Sequence, residues 1–307
     1  MYLIVGAGVI GSTAACLLAN SGIRVRLVTR HGSGPDHPAV ERVAADATDT
    51  SRLVELAHGA TKLFNCAMPP YDRWPAEWPP LAASILTAAE RVGADYIMLG
   101  NTYGYAPVEG RVTPDLAMAP VSKKGAVRAQ MWHAALASHD AGRVRVTEVR
   151  ATDYLGAAAN SPFTMMVGTP VLAGSPVWYP GDLDAPHSWS YTVDVARTLI
   201  AAAENDRSWG RAWHVPAVSE APVRELATLL ADAAGKPAPQ LHHMTVERLQ
   251  DLGRENSVMA EFPEMLYLYN RRNLLDYSET VKTLRVTPTS LETVLAEMAE
   301  AHVQAST

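Results

Sequence analysis

The chain has 307 residues, of which 48% are hydrophobic and 19% are charged, and its formal net charge is −6. This composition supplies enough apolar material for a core and argues against a disordered chain, a collagen or a coiled-coil fibre. The negative net charge and the lack of a basic run argue against nucleic-acid binding. At roughly 150 residues per domain, the length predicts about two domains.

The segment from Met1 to Ile23 carries no charged side chain. Glycines and polar residues interrupt it and no basic region precedes it, so we expect neither a membrane span nor a signal peptide. Cys16 and Cys66 each lie in an apolar segment, which is typical of buried thiols in a reducing compartment. These features predict a cytoplasmic protein.

Short β-branched segments alternate with Ala- and Leu-rich segments of helical spacing through the first half of the chain. The predicted strands are residues 2–5, 23–29, 41–45, 62–66, 96–99 and 143–149. The predicted helices between them are residues 12–21, 50–58, 81–92 and 121–139. This alternation predicts an α/β protein with a doubly wound parallel sheet, a Rossmann fold. Ligands of such sheets bind beyond the carboxyl ends of the strands.

Three proline-rich segments interrupt the alternation, and we expect long loops at residues 68–80, 101–120 and 160–184. The pattern then changes after Val215. Helices are predicted at residues 223–234, 245–252, 257–270 and 290–301. The C-terminal region is therefore expected to be smaller and mostly helical.

A glycine motif, Gly6-Ala7-Gly8-Val9-Ile10-Gly11, follows the first predicted strand and opens the first predicted helix. In such a motif Gly6 permits a tight turn, Gly8 lets the backbone approach a pyrophosphate, and Gly11 lets the helix pack against the strand. The amides at the start of the helix, from Val9 and Ile10, would supply hydrogen-bond donors and a partial positive charge. The motif predicts a dinucleotide cofactor.

The residues after the second predicted strand favour NADP(H) as that cofactor. An NAD site places Asp or Glu there to hold the ribose 2′-hydroxyl. This chain has Thr29 and Arg30 instead. The Arg30 guanidinium would pair with a 2′-phosphate, and Thr29 would add a hydrogen bond.

These motifs resemble the extended short-chain dehydrogenase/reductases, the family of NAD(P)-dependent sugar epimerases and dehydratases. Asp46-Ala47 is similar to the family's adenine-contacting acid, and Asn65-Cys66-Ala67 is similar to its segment along the dinucleotide. Thr102-Tyr103-Gly104 resembles its Val-Tyr-Gly segment, and residues 192–196 resemble its Val-x-Asp-Val-Ala segment. The resemblance implies a cofactor domain of residues 1–155 and 186–215, a substrate domain of residues 156–185 and 216–307, and a homodimer.

The catalytic residues of that family are replaced in this chain. Members carry Tyr-x-x-x-Lys, in which the tyrosine is the general acid/base and the lysine holds the nicotinamide ribose. Counting from Tyr103 with the family's spacing places Lys124 and Arg128 at these two positions. The assisting serine or threonine becomes Leu99, and Asn101 is a polar substitute nearby.

Three interpretations of this replacement remain open. Lys124 takes the place of the tyrosine as the acid, while Arg128 orients the ribose or stabilises oxyanion charge. Alternatively, Tyr103 or Tyr105 reaches in from the loop as the proton donor. In the third interpretation the protein performs no hydride transfer and is an NADP(H)-binding redox sensor.

Apolar and polar residues near the strand ends are expected to bind a small-molecule substrate: Tyr71, Trp74, Trp78, Tyr105, Tyr154 and Asn160. Aromatic walls favour an apolar or polycyclic compound, and no tight cationic cluster is evident for a sugar nucleotide. The sequence therefore predicts an NADP(H)-dependent reductase of a carbonyl or an activated C=C or C=N bond. The alternative enzyme is an epimerase or dehydratase of a sugar nucleotide.

No metal site is predicted. His242 and His243 are adjacent and would not share a helix face, and neither His-Glu-x-x-His nor a Cys/His pair at ligand spacing occurs. Among the histidines, His187 draws attention because it precedes a strand that returns toward the cofactor domain.

Overall fold

The computed structural model describes residues 1–305, and α-helices and β-strands alternate through its first half. The strands are β1 (Tyr2–Val5), β2 (Val25–Thr29), β3 (Val40–Ala44), β4 (Lys62–Asn65), β5 (Asp95–Asn101), β6 (Val146–Ala151), β7 (Asp153–Leu155), β8 (Val177–Tyr179), β9 (Trp189–Tyr191), β10 (Arg211–His214) and β11 (Leu241–His243). The helices are α1 (Val9–Asn20), α2 (Thr50–Ala57), α3 (Trp74–Val92), α4 (Lys123–Asp140), α5 (Thr169–Leu172), α6 (Thr192–Ala203), α7 (Val223–Ala233), α8 (Val246–Glu255), α9 (Ser257–Ala260) and α10 (Leu291–Ala305). Short 3₁₀ segments occur at Tyr71–Arg73, Asp206–Ser208 and Pro263–Leu268, and π-helical turns occur at Thr164–Gly168 and Thr280–Leu284.

A seven-stranded parallel sheet forms the centre of the molecule, in the order β10-β6-β5-β4-β1-β2-β3. The order reverses beside β1, and the crevice of a doubly wound sheet opens at such a reversal. One face of the sheet packs against α2, α3 and α4, and the other packs against α1 and α6. The predicted Rossmann architecture is therefore confirmed.

A separate apolar cluster lies outside the sheet and joins residues of β8, β9, α7 and α10 with the segments between them. The strand pairs β7–β9 and β8–β11 lie in the same part of the chain. Within residues 1–305, no helix is long and apolar enough to cross a membrane.

The loop predicted at residues 68–80 is wrong, because α3 begins at Trp74. Trp74 and Trp78 lie four residues apart, share one helix face and are buried in the core. Pro75 occupies the first turn, where its missing N–H costs nothing. Pro79 and Pro80 deprive the carbonyls of Pro75 and Ala76 of their partners, but both of these residues are exposed to water.

Two other segment predictions are also wrong. Residues 160–184 contain a π-helical turn, α5 and β8, because the buried residues Phe163, Val167 and Val171 recur every four positions. The helix expected at residues 257–270 ends at Ala260 and gives way to the 3₁₀ segment Pro263–Leu268. Proline lacks the N–H that would continue the α-helix there.

Candidate functional site

The glycine motif forms a cradle between β1 and α1. Gly6 has φ +101°, and a Cβ there would lie 2.6 Å from the carbonyl oxygen of Cys66. A Cβ on Gly11 would lie 2.0 Å from the carbonyl oxygen of Gly6. A Cβ on Gly8 would meet no atom within 4 Å. The cradle is thus closed on the protein side and open at Gly8, as the approach of a pyrophosphate requires.

The start of α1 leaves its amides available. Gly8 is the N-cap and provides no side-chain cap, and the amide of Ser12 is the first to bond back, to the carbonyl of Gly8. The amides of Val9 and Ile10 precede that bond. A helix start of this kind offers donors and a partial positive charge to an anion, so these residues fit the phosphates of a dinucleotide.

The other predicted cofactor residues lie beside this cradle. Arg30 follows β2, and Cys66 and Ala67 follow β4; all three line one large cavity. Burial raises the pKa of the Cys66 thiol to about 12, so this thiol stays protonated. Ala47 is buried in the core behind the cradle.

Asp46 and Thr29 are occupied by bonds within their own loops. The Asp46 carboxylate accepts hydrogen bonds from the amide and the hydroxyl of Thr48, at 2.9 Å and 2.8 Å. These bonds, with a smaller effect of Arg30, hold the pKa of Asp46 below its usual value. The Thr29 hydroxyl accepts the amide of Ser33 at 2.8 Å. Arg30 is therefore the cation of this corner that faces the cavity.

The cavity has a volume of about 620 Å³ and lies beyond the carboxyl ends of β4, β5 and β6. It brings together many residues that the sequence selected: Arg30, Cys66, Ala67, Tyr71, Trp74, Trp78, Asn101, Tyr103, Arg128, Tyr154 and Asn160. Lys124 and Tyr105, which the sequence also selected, are not among its lining residues.

Arg128 is a buried cation in the wall of this cavity. It projects from α4, is 4% exposed and stacks its guanidinium 4.3 Å from the ring of Trp78. Its Nη2 donates to the carbonyl oxygen of Leu99 at 2.9 Å, and its Nε and Nη1 have no hydrogen-bond partner among the described residues. Desolvation lowers the pKa of Arg128, but arginine remains charged at neutral pH. Two buried donors without partners indicate a place for a ligand oxygen.

Lys124 lies one turn earlier on α4 and is fully buried. Its Nζ pairs with the carboxylates of Glu261 and Glu264, the second at 3.2 Å, and lies 4.5 Å from the centre of the Tyr71 ring. Its role as the acid stays a prediction, since the ammonium group already has two anionic partners.

The tyrosines of the cavity are protonated. Burial raises the pKa of Tyr154 to about 12, and it also raises the pKa of Tyr71 and Tyr103, whose side chains interact. Asn101 uses its Oδ1 to accept the amide of Tyr103 at 3.2 Å. These groups can bind a ligand as neutral donors and acceptors.

Tyr105 belongs to a different buried network. Its hydroxyl lies 3.0 Å from Nε2 of His214 and accepts a bond from Arg150. Arg150 also pairs with Glu148 at 2.6 Å. This cluster lies behind the end of β5 and supports the loop that carries Asn101 and Tyr103.

Sequence reasoning missed one polar pair in the cavity wall. Asp153, the first residue of β7, lies with its Oδ2 2.9 Å from Nε2 of His187, and both residues line the cavity. His187 had attracted attention, but Asp153 had not, although its position just after β6 could have indicated it. No group of three or more His, Cys, Asp or Glu side chains within residues 1–305 is arranged to hold a metal ion.

Comparison with known proteins agrees with this geometry. The model of the NAD dependent epimerase/dehydratase family matches residues 2–215. No curated protein matches the chain. Several solved structures share its fold over nearly the full length.

UDP-glucuronic acid 4-epimerase from Bacillus cereus, solved with UDP-glucuronic acid and NAD, is 19% identical with a TM-score of 0.80, covering 99% of this chain and 100% of that one. UDP-glucose 4-epimerase from Thermotoga maritima, solved with UDP-glucose, is 18% identical with a TM-score of 0.81, covering 100% of both chains. A double mutant of dTDP-glucose 4,6-dehydratase from Streptomyces venezuelae, with NAD bound, is 20% identical with a TM-score of 0.77, covering 99% and 97%. At these identities the likeness concerns the fold.

Proposed function

The chain belongs to the NAD dependent epimerase/dehydratase family, and we propose that it is an NADP(H)-dependent reductase of a carbonyl group in a small apolar compound. The observation that carries the proposal is Arg128, a buried guanidinium with two unpaired donors in the wall of an aromatic cavity. Bound NADPH would supply the hydride. The remaining chemistry falls to side chains of this chain.

The cofactor would lie along the carboxyl ends of β1, β2 and β4. The amides at the start of α1 would hold its pyrophosphate, and Arg30 would pair with a 2′-phosphate. Arg30 supports NADP(H) because it lines the cavity, whereas the nearby Asp46 is engaged by Thr48.

Arg128 would hold the substrate oxygen. As a carbonyl is reduced, negative charge develops on its oxygen, and donors already in place at a dry site stabilise that charge strongly. Stacking on Trp78 and the bond to Leu99 fix the guanidinium before the ligand arrives. The family's lysine position is thereby used to bind an oxyanion.

The cavity walls favour an apolar substrate body. Tyr71, Trp74 and Trp78 form one aromatic wall, and Met165 and Met259 also line the space. Among the described residues of the lining, the cationic side chains are Arg30, Arg128 and the ionisable His187. A nucleoside diphosphate would need more positive charge than Arg128 provides beyond the cofactor.

The test is NADPH oxidation in the presence of 2-naphthaldehyde, a flat apolar aldehyde. Replacement of Arg128 by Met should lower kcat/KM by about 10²–10³-fold, the usual effect of losing an oxyanion donor. Arg128→Lys, which restores a charge, should recover part of this loss, and Arg91→Met on the exposed side of α3 is the matched control. Equal rates for wild-type and Arg128→Met would contradict the proposal.

A second function, a redox-neutral epimerase or dehydratase of a sugar nucleotide, is favoured by the family match and by the solved relatives, whose substrates are UDP- and dTDP-sugars. In such a reaction the cofactor is regenerated in each cycle. Conversion of UDP-glucose or UDP-glucuronic acid without net NADPH oxidation, measured by chromatography, would support this function over the reductase.

A further inference from the structure

The cavity contains a second buried polar pair that the family's catalytic positions do not explain. His187 is 5% exposed, and its Nε2 lies 2.9 Å from Oδ2 of Asp153. The contact is close, but it is not aligned with the ring N–H, and Nε2 has no directed hydrogen bond among the described residues. Both side chains line the cavity that also contains Arg128. A buried ring nitrogen left in this state is available to a ligand.

The backbone around His187 is held on both sides. The amide of Ser188 donates to the carbonyl of Asn273, and the amide of Asn273 donates to the carbonyl of Pro186, both at 3.0 Å. Asp153 is fixed by the pairing of β7 with β9, in which it lies opposite Trp189. The two side chains therefore meet at rigid positions, as a reacting group requires.

The surroundings of this pair are aromatic. The His187 ring packs 4.7 Å from Trp189 and 6.0 Å from Tyr269, measured between ring centres. The Tyr269 hydroxyl donates to Oδ1 of Asp153 at 3.2 Å. The other titratable groups that the Asp153 charge reaches are buried tyrosines, all with a raised pKa: Tyr71, Tyr103, Tyr154 and Tyr179. Asp153 thus has His187 as its ionisable counter-group.

Other side chains of the lining are poor proton donors. Arginine does not release its proton at neutral pH, which excludes Arg128. Burial raises the pKa of the Cys66 thiol to about 12, and the tyrosines are shifted in the same direction. A histidine changes its charge near neutral pH and is the most frequent general acid.

We infer that His187, held by Asp153, exchanges a proton with the substrate oxygen, an inference that rests on the proposed function. As hydride from NADPH adds to the carbonyl carbon, the π electron pair of the C=O bond moves to the oxygen. That oxygen takes the proton from Nε2 of protonated His187 and becomes the hydroxyl of the alcohol, leaving NADP⁺ and a neutral imidazole. The imidazole regains a proton from water, and Asp153 remains a carboxylate throughout.

The test uses 2-naphthaldehyde as the probe and reads both binding and turnover. Binding is measured from quenching of tryptophan fluorescence, since Trp74 and Trp78 line the cavity. His187→Gln should weaken binding about fivefold to tenfold, because a hydrogen bond to the aldehyde oxygen is lost. It should lower kcat by about 10²-fold or more, which is typical for a lost general acid. His133→Gln, at an exposed position on α4, is the matched control and should change neither.

Asp153→Asn provides a second variant of nearly identical shape. It should also lower kcat while preserving the bond from Tyr269. Wild-type affinity for the aldehyde in His187→Gln, or a wild-type kcat in either variant, would overturn the inference. Aldehyde binding that depends on His187 without NADPH oxidation would instead contradict the proposed reductase, so the two failures can be told apart.

Discussion

The Nζ of Lys124 lies 3.2 Å from Oε1 of Glu264, which joins the first turn of α4 to the 3₁₀ segment Pro263–Leu268. Glu261 pairs with the same ammonium, and Oε2 of Glu264 accepts the amide of Lys123 at 2.8 Å. Residues between 256 and 268 line the cavity from this side. The position that holds the acid/base tyrosine in the family is thus used here to anchor a wall of the cavity.

Replacement of Lys124 by Met should loosen that wall. The change leaves two carboxylates without their buried partner, and breaking such a pair costs several kcal/mol when both groups are buried. Because both glutamates are partly exposed, we expect the free energy of unfolding to fall by about 2 kcal/mol. Chemical denaturation gives this value, and hydrogen exchange should accelerate in residues 257–268.

Lys123→Met is the control for this prediction, because Lys123 is exposed and contributes a backbone amide to Glu264. An unchanged exchange rate in Lys124→Met would show that the ion pairs do not anchor the segment. Loss of kcat in that variant with unchanged exchange would favour Lys124 as the acid.

Gly8 and Gly11 should respond differently to alanine. A Cβ on Gly8 enters open space at a backbone φ of −64°, so the fold should remain stable while NADPH binding, measured by calorimetry, weakens by at least tenfold. A Cβ on Gly11 would collide with the Gly6 carbonyl and should lower thermal stability as well. Gly110→Ala, in open space away from the cradle, is the control. Wild-type affinity in Gly8→Ala would place the pyrophosphate elsewhere.

Arg30→Ala should separate the two cofactors. NADPH would lose a charge-assisted contact to its 2′-phosphate, and its Kd should rise by about tenfold or more, whereas the Kd of NADH should change little. Arg24→Ala, an exposed arginine before β2, provides a control. Equal losses for NADPH and NADH would refute the assignment of Arg30 to the phosphate.

His214 should make the fold sensitive to acid. Burial, with a contribution from the charge of Arg150, lowers the pKa of His214 from 6.5 to about 3. Below pH 6.5 the unfolded chain binds a proton that the folded protein refuses, so stability falls as the pH decreases toward 3. From pH 7 to pH 5 this group should cost about 2 kcal/mol, at 1.36 kcal/mol per pKa unit.

His214→Gln tests this dependence, because glutamine does not titrate. Denaturation at pH 7 and pH 5 should show a smaller loss of stability in the variant than in wild-type, whereas His133→Gln should behave as wild-type does. The same loss in His214→Gln and wild-type would mean that His214 already accepts a proton in the folded protein.

Most of the sheet could be predicted from the sequence because its signals are local. β1 to β6 each contain a short β-branched segment buried on both faces, and Gly22, Gly59 and Gly93 mark the ends of helices. The start of α3 could not be predicted this way, since three prolines obscured the spacing of Trp74 and Trp78. There the burial of two indoles outweighs the local preference of proline.

The site was predictable where one motif determines it. The glycine cradle depends on residues that are adjacent in the chain, and the structure shows the close contacts that its glycines require. The partners of Lys124 lie 137 and 140 residues away, and Asp153 meets His187 only through the pairing of β7 with β9. Sequence spacing carries no information about such contacts.

The most direct measurement follows the hydrogen itself. NADPH deuterated at C4 of the nicotinamide, on either face, is incubated with the protein and 2-naphthaldehyde, and the alcohol is analysed by mass spectrometry. The account predicts one deuterium on the carbinol carbon from one of the two labelled faces, and much less product from Arg128→Met. Aldehyde and NADPH that both bind without forming any deuterated alcohol would contradict it.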